Sequence, residues 1–119
     1  MTPSELRVQI DRALIYAGGT HTVDDVMLMC ERGQMQMWQG EHSVVVTQIL
    51  EYPRMKELCV FLAAGSMPEM VRLAPIVEEF GRASGCKRMV FAGRPGWART
   101  FLTLERGWVS KLAVFEKEL

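Results

Sequence analysis

The stretch that decides the fold is Leu58-Cys59-Val60-Phe61-Leu62-Ala63-Ala64, an almost unbroken apolar run near the middle of the chain. A run of this kind is expected for a central strand that is covered on both faces. Pro68 then opens a helical pattern that continues to Gly81, and Met89-Val90-Phe91-Ala92 follows as a second short apolar run. A strand, a helix and a strand in this order predict a right-handed parallel crossover.

Two helices are predicted before this crossover. The pattern from Ser4 to Ala17 predicts an amphipathic helix that begins at a Ser4 cap, and Gly18-Gly19 is expected to end it. Thr22 is expected to cap a second helix, because its hydroxyl can accept a hydrogen bond from the first turn. Gly33 suits the left-handed position that follows such a helix.

An antiparallel meander is predicted between the second helix and the crossover. Alternating and β-branched residues predict strands over 35–38 and 43–50, ahead of the apolar run at 58–64. Turn residues at 39–41 and 52–54 separate these strands. Three consecutive strands joined by short turns pair as antiparallel neighbours.

The last part of the chain predicts one more helix and one more strand. Gly93-Arg94-Pro95-Gly96 is expected to open a short helix over 97–104. Alternation at Val109, Lys111, Ala113 and Phe115 predicts a closing strand over 108–116. The predicted order is therefore ααβββαβαβ, an α/β (α+β) fold with a mixed sheet and helices on both faces, in a single domain over 1–119.

Composition sets the broad class of protein. The chain has 119 residues, of which 49% are apolar and 24% are charged, and this balance is typical of a folded domain rather than a disordered one. No apolar run has the roughly 18 residues that a membrane-spanning helix needs. The first residues lack the pattern of a signal peptide. We therefore expect a soluble, intracellular domain that does not contact a membrane.

The three cysteines give no metal or disulfide motif. Cys30, Cys59 and Cys86 are odd in number and far apart in sequence, and none has a histidine at the spacing of a zinc site. Cys59 is interpreted as a small buried thiol within the central strand. A pair of Cys with His21 or His42 as a nucleophile stays an open alternative without positive support.

The charges are balanced overall but unevenly distributed. The 14 Lys and Arg equal the 14 Asp and Glu, which argues against general binding to the nucleic-acid backbone. Residues 1–60 have 5 basic and 8 acidic side chains, a net charge of −3, whereas residues 61–119 have 9 and 6, a net charge of +3. The basic half indicates either an anionic partner or solvated ends of short elements, and both interpretations stay open.

The predicted element order, together with local sequence in the second half, resembles the GNAT family of N-acetyltransferases. The similar segments are residues 85–90 at the entry to a strand, Gly93 to Arg99, and Arg106-Gly107-Trp108 before the last strand. More narrowly, the chain resembles small GNAT-like proteins of tailed phages and prophages, through the turn at 18–22 and the Glu-Lys-Glu-Leu sequence at 116–119. This resemblance implies a location in the host cytoplasm or in the virion.

The segment that binds the cofactor in that family departs from the family pattern here. The resemblance implies an Arg/Gln-x-x-Gly-x-Gly/Ala loop, whose backbone N–H groups hold the pyrophosphate of acetyl-CoA at a helix N-terminus. In this chain the matching residues 63–70 retain one glycine, lack the arginine, and include Pro68 and Glu69. A lost N–H donor and an added carboxylate both oppose binding of an anion. We therefore expect no cofactor.

The catalytic groups that the resemblance implies are also sparse. The family usually needs a base near the amine and often a tyrosine near the last helix, but the only tyrosines here are Tyr16 and Tyr52. Glu57 is the one candidate base, with a solvated strand-end carboxylate as the alternative interpretation. His21 is interpreted as a residue of the loop before the second helix.

Three functional hypotheses follow. The first is a phage- or prophage-encoded GNAT-like protein with a degenerate acetyl-CoA site, which is not an enzyme and has a structural or interaction role with a protein partner; a homo-oligomer is left open. The second is a true N-acetyltransferase that binds acetyl-CoA through Gly93, Arg94, Gly96 and Arg99. The third is an anion- or nucleic-acid-binding module. Trp38 and Trp97 are the candidate interface aromatics, and no metal is expected.

Overall fold

One mixed sheet organises the part of the chain that the computed structural model describes, which is residues 1–93, 97, 100–101 and 107–119. Its strands lie in the order β1-β2-β3-β4, namely β1 (Gln36–Gln39), β2 (Ser43–Glu51), β3 (Lys56–Gly65) and β4 (Cys86–Phe91). The first three strands pair antiparallel, and β4 pairs parallel to β3. The predicted meander, the parallel pairing across the crossover and the α/β class are therefore confirmed.

In the described ranges three helices, each of at least nine residues, cover the two faces of this sheet: α1 (Pro3–Leu14), α2 (Val23–Glu31) and α3 (Met67–Ala83). Helices α1 and α2 form one core with β2 and β3, whereas α3 packs on the opposite face. Pro75 lies inside α3 and does not divide it into two helices. None of the helices in the described ranges is long and apolar enough to cross a membrane.

The starts of the first two helices are fixed by reciprocal side-chain caps. Thr2, and not the predicted Ser4, caps α1, because its hydroxyl accepts from the N–H of Glu5 while the Glu5 carboxylate accepts from the N–H of Thr2. Thr22 caps α2 as predicted, and Asp25 completes the same arrangement. Gly33 follows α2 with φ +75°, in agreement with the expected left-handed position.

A bulge in β3 determines which side chains face each layer. Val46 pairs with Leu62 and Thr47 pairs with Val60, so Phe61 is the extra residue of β3. As a consequence Phe61 and Leu62 both pack in the α1–α2 core. Val60, before the bulge, lines the α3 side of the sheet instead.

The predicted closing strand over 108–116 is wrong for this structure. Residues 108–119 belong to no helix or strand, and Leu112 and Phe115 are each 93% exposed. The alternation is present, but strand propensity expresses the fit of side chains to a half-buried pleated surface, and residues 108–119 pair with no strand in the described part of the chain. The predicted helix over 97–104 lies largely outside the described residues.

Gly65 provides a direct test of how closely the end of β3 approaches the β1–β2 turn. It has φ +108°, and a Cβ atom there would overlap the carbonyl oxygen of His42. Gly85 has a similar φ of +83° but open space around it, so it is a matched control. We expect Gly65→Ala to lower the free energy of unfolding by about 3 kcal/mol or more, from backbone strain plus steric overlap.

Gly85→Ala should cost only the backbone strain, about 1–2 kcal/mol. Urea unfolding followed by tryptophan fluorescence measures both variants. Equal losses of stability would contradict the close packing at Gly65.

Candidate functional site

The junction between β3 and α3 is the position at which the family resemblance implies an anionic cofactor. Here the junction packs against the turn between β1 and β2, because the N–H of Ser66 donates to the carbonyl of His42 at 3.2 Å. Ser66 is the N-cap of α3 but makes no side-chain capping bond. Pro68 occupies the first turn and contributes no N–H donor.

The side chain of Glu69 closes this junction. Its Oε1 accepts from the backbone N–H of Glu41 at 2.7 Å, and its Oε2 accepts from the backbone N–H of His42 at 2.9 Å. Partial burial acts to raise the pKa of the Glu69 carboxyl, but the nearby Ser43 hydroxyl and the hydrogen bonds from these two N–H groups outweigh it, so the pKa is lowered. Glu69 is therefore held as a carboxylate.

The carboxylate of Glu69 places a negative charge in the first turn of α3. The positive end of a helix dipole favours a negative charge, and Glu69 supplies one from within the helix. A second anion at the same turn would meet the charge of Glu69 and would lack the N–H that Pro68 removes. The first turn of α3 therefore already holds one carboxylate, which disfavours a second anion there.

The space between β3 and β4 is the second part of the candidate site. The two strands pair only as far as Val60 and Phe91, and residues 61–65 of β3 extend beyond the end of β4. The cavity that opens there toward α3 measures about 40 Å³, room for a few water molecules only. The described residues that line it are aliphatic, aromatic or methionine, and include Ala63, Met89 and Trp97.

A row of aromatic rings fills the outer side of this cavity. The ring centroids of Phe91 and Trp97 are 5.1 Å apart, those of Trp97 and Phe101 are 6.0 Å apart, and those of Phe101 and Trp108 are 6.4 Å apart. All three pairs meet edge to face, which is a favourable geometry for aromatic packing. Trp97, predicted as a possible interface aromatic, belongs to this row.

Glu57 is buried in the structure and is not the solvated strand-end carboxylate of the alternative interpretation. Its side chain is 7% exposed, and its Oε2 accepts from both Nε and Nη2 of Arg88 at 2.7 Å. The parallel register of β3 and β4 places these residues opposite each other. Arg88 therefore holds Oε2 of Glu57 in an ion pair, and the structure gives Glu57 a pairing role.

Cys59 lies next to Glu57 on β3 and is a poor nucleophile. Burial raises the pKa of the Cys59 thiol, the charge of Glu57 raises it further, and a hydrogen bond from Gln48 opposes them only in part. Burial also raises the pKa of the Cys30 thiol. His21 contacts neither cysteine in a described hydrogen bond. It shares a 2.7 Å hydrogen bond with Thr20 and packs edge to face on Phe61, as expected for a loop residue.

Trp38 does not form the exposed aromatic that its place at a strand end suggested. The side chain is half-buried, its Nε1 donates to the hydroxyl of Thr47 at 3.1 Å, and its ring packs on Phe80 of α3 at 5.3 Å. Burying the indole against a helix while satisfying its N–H is a structural role. A partner would reach only part of this ring.

The turn that the N-acetyltransferase hypothesis assigns to acetyl-CoA is described only in part. Gly93 lies against the rings of Phe91 and Trp97, which a Cβ atom at that position would meet at 2.3–2.8 Å. Arg94, Gly96 and Arg99 lie outside the described residues. No group of three acidic, histidine or cysteine side chains within the described ranges is arranged to hold a metal ion.

Two contacts at the site were not anticipated from the sequence. The charge of Glu69 was recognised, but its bonds to the turn at 41–42 depend on a contact between residues that are 27 and 28 positions apart. The Glu57–Arg88 pair joins residues 31 positions apart. The only sequence indication of that pair was opposite charge on two strands predicted to be parallel neighbours.

Comparison with solved structures identifies similar folds. The wild-type protein TTHA1254 of Thermus thermophilus superimposes with a TM-score of 0.65 at 15% identity, covering 100% of this chain and 94% of that one. A point mutant of the same protein gives a TM-score of 0.68 at 15% identity, with the same coverage. The chain matches no protein-family model and no curated protein sequence. At this identity the likeness concerns the fold alone.

Removing the partner of Glu57 tests the pairing role. Arg88→Met leaves a buried carboxylate without its cation, so we expect a loss of about 1–3 kcal/mol in the free energy of unfolding. Lys87→Met, on the exposed neighbouring residue, should change stability by about 0.5 kcal/mol or less. Adding Glu57→Gln to Arg88→Met should recover part of the loss, because the remaining side chain is neutral.

Urea unfolding of the three variants measures these differences. A loss from Arg88→Met no larger than that from Lys87→Met would contradict the pairing role.

Proposed function

We propose that this chain is a non-catalytic, GNAT-like domain of phage or prophage origin with a structural or protein-interaction role, and that it has lost the acetyl-CoA site. In this proposal the chain retains the fold that the resemblance implies but no longer binds acetyl-CoA or transfers an acetyl group. It accounts for a helix N-terminus that carries its own carboxylate. It also accounts for the apolar side chains that fill the space beyond the end of β4, beside β3.

The observation that carries the proposal is the position of Glu69. In an acetyltransferase of this family the first turn of the matching helix donates N–H groups to a pyrophosphate. Here that turn holds a carboxylate that accepts from Glu41 and His42, and Pro68 removes a donor. Binding acetyl-CoA in the family manner would bring further negative charge to an existing carboxylate.

The cavity between β3 and β4 supports the same proposal. A pantetheine arm is long and contains two amide groups, which need hydrogen-bond partners when they are buried. The cavity measures about 40 Å³, and the described residues that line it are apolar, so they offer neither the length nor the partners. Phe91 and Trp97 would have to separate before such a group entered.

The exposed apolar residues at 109–119 favour an interaction role over an isolated domain. Leu112, Val114 and Phe115 are 93%, 86% and 93% exposed. Contiguous exposed apolar surface is typical of protein-binding regions. We retain the N-acetyltransferase hypothesis as the alternative outcome of the test below, although Arg88 holds the carboxylate of Glu57 that would serve as its base.

Isothermal titration calorimetry with acetyl-CoA tests the proposal. We expect no saturable binding up to about 1 mM, and an acetyltransferase with an intact cofactor loop, titrated in the same buffer, supplies the positive control. A dissociation constant in the micromolar range would overturn the proposal and would favour the alternative enzyme. Binding to DNA or RNA that weakens steeply with salt would favour the third hypothesis instead.

The pH dependence of stability tests whether Glu69 acts as a bonded carboxylate. Its pKa is lower in the folded protein than in the unfolded chain, so its contribution is fully present above the ordinary pKa of a glutamate. The contribution is lost as the pH falls through the lowered, folded-state pKa. Glu69→Gln should therefore reduce the melting temperature at pH 7, and the difference from the unmodified protein should shrink in acid.

Melting temperatures between pH 3 and pH 7, read by circular dichroism, provide the measurement. Glu78→Gln on the same helix is the control, because its carboxylate pairs only loosely with Arg82, at 3.8 Å. A Glu69→Gln difference that is constant over this range would contradict the role of the charge.

A further inference from the structure

The core between the sheet and the first two helices is rich in methionine. Nine methionines occur in the chain, and those that lie in this core or pack against it are Met1, Met27, Met29, Met35 and Met37. Met35 is buried, whereas the other four are partly exposed at the rim of the core. Thioether groups at the rim are within reach of small oxidants in solution.

Helix α2 is held on this core by few residues, and two of them are methionines. Val26 is its one fully buried residue, and its other core contacts come from Val23, Met27, Met29 and Cys30. A helix of nine residues is too short to be stable in water without tertiary contacts. The folding of α2 therefore depends on this small set of side chains.

The polar contacts of α2 lie at its two ends. At its start the carboxylate of Asp24 pairs with Arg7 of α1 at 2.6 Å, but both side chains are exposed, and such a pair contributes about 1 kcal/mol or less. At its end the carbonyl of Met29 accepts from the N–H groups of Gln34 and Met35, at 2.9 and 3.2 Å. The middle of the helix is held by apolar contacts.

Cys30 is a weaker target for an oxidant than the methionines beside it. Burial raises the pKa of the Cys30 thiol, and the thiolate is the form that reacts with oxidants. A thioether does not titrate, so methionine is oxidised at neutral pH without first losing a proton. Met27 and Met29 are therefore the oxidisable contacts of α2.

Hydrogen peroxide oxidises methionine by transferring one oxygen atom. The O–O bond breaks, an S–O bond forms, the sulfur is oxidised by two electrons, and the peroxide is reduced to water. The resulting sulfoxide is polar, so keeping it against the apolar residues of the core costs free energy. Release of α2 would place both oxidised side chains in water.

We infer that α2 is a peroxide-sensitive switch, in which oxidation of Met27 and Met29 to sulfoxides releases the helix from the core while the sheet and α3 stay folded. Helix α3 packs on the other face of the sheet, over Val45 and Val60, and does not depend on α2. Release uncovers apolar surface of the α1–α2 core, and reduction of the sulfoxides docks the helix again. The switch does not depend on whether the domain binds acetyl-CoA.

Hydrogen–deuterium exchange of the full chain, read by mass spectrometry before and after treatment with hydrogen peroxide, tests the switch. Fragment masses show which methionines have gained an oxygen atom. We expect Met27 and Met29 to be oxidised, and the amides of residues 26–31 then to exchange about tenfold faster or more, with the β2 and β3 amides unchanged. Methionine sulfoxide reductases should restore the original rates.

Leucine variants identify the residues responsible. Met27→Leu with Met29→Leu keeps the side-chain volume and forms no sulfoxide, so α2 should keep its exchange rates in peroxide. Met55→Leu with Met67→Leu is the matched control, because both methionines are partly exposed and lie outside the residues of the α1–α2 core. This control should respond to peroxide as the unmodified chain does.

A glutamine variant tests the release without an oxidant. Met27→Gln with Met29→Gln replaces both thioethers with polar groups, and it should speed the exchange of residues 26–31 about tenfold with no peroxide present. Unchanged exchange of α2 in this variant or in the oxidised chain would overturn the inference.

The remaining outcomes also decide the inference. A peroxide response that persists in the Met27→Leu, Met29→Leu variant, or a failure of these two methionines to oxidise, would overturn the assignment of the switch to them. Faster exchange in β2 and β3 as well would mean that the whole domain unfolds, and would overturn local release. Rates that the reductases leave unrestored would overturn reversibility.

Discussion

The carboxylate of Glu69 joins three elements of the fold at one point. It begins in the first turn of α3 and accepts from the N–H groups of Glu41 and His42 in the β1–β2 turn, and the carbonyl of the same His42 lies against Gly65 at the end of β3. A helix N-terminus usually gains stability from a carboxylate, and a tight turn gains from an acceptor for its free N–H groups. The single side chain of Glu69 supplies both the negative charge at the start of α3 and the acceptor for the N–H groups of the turn.

The consequences of this contact extend to the gap between β3 and β4. The start of α3 is held against the β1–β2 turn, the helix packs its apolar face over Val60 and Ala63, and the rings from Phe91 to Trp108 line the same cavity. The bulge at Phe61 supports this packing, since it sends Leu62 into the opposite core. Polar chemistry is thus absent from the described lining of the gap between the two parallel strands.

Most of the fold followed from local sequence patterns, and most of the candidate site did not. The apolar run of β3, the Thr22 cap and Gly33 each act over a few residues, so the sequence alone was sufficient for them. Glu57 was misjudged as a possible solvated carboxylate because its partner, Arg88, approaches only through the parallel register. Trp38 was expected to be exposed because it lies at a strand end. The local sequence did not reveal its packing partner, Phe80, which lies 42 residues away.

The prediction of a closing strand over 108–116 failed for a different physical reason. Alternation at 108–116 predicts a strand correctly only when a sheet edge receives the segment, and the alternation itself does not show whether one does. The Ser4 cap was displaced to Thr2 because two hydroxyl residues compete within one turn, and only Thr2 has Glu5 three residues later. The central claim about the site nevertheless concerns Glu69, and amide hydrogen exchange tests it most directly. The account predicts that the Glu41 and His42 amides are protected in the unmodified protein and exchange at least tenfold faster in Glu69→Ala, with β3 amides unchanged; equal exchange in both proteins would contradict it.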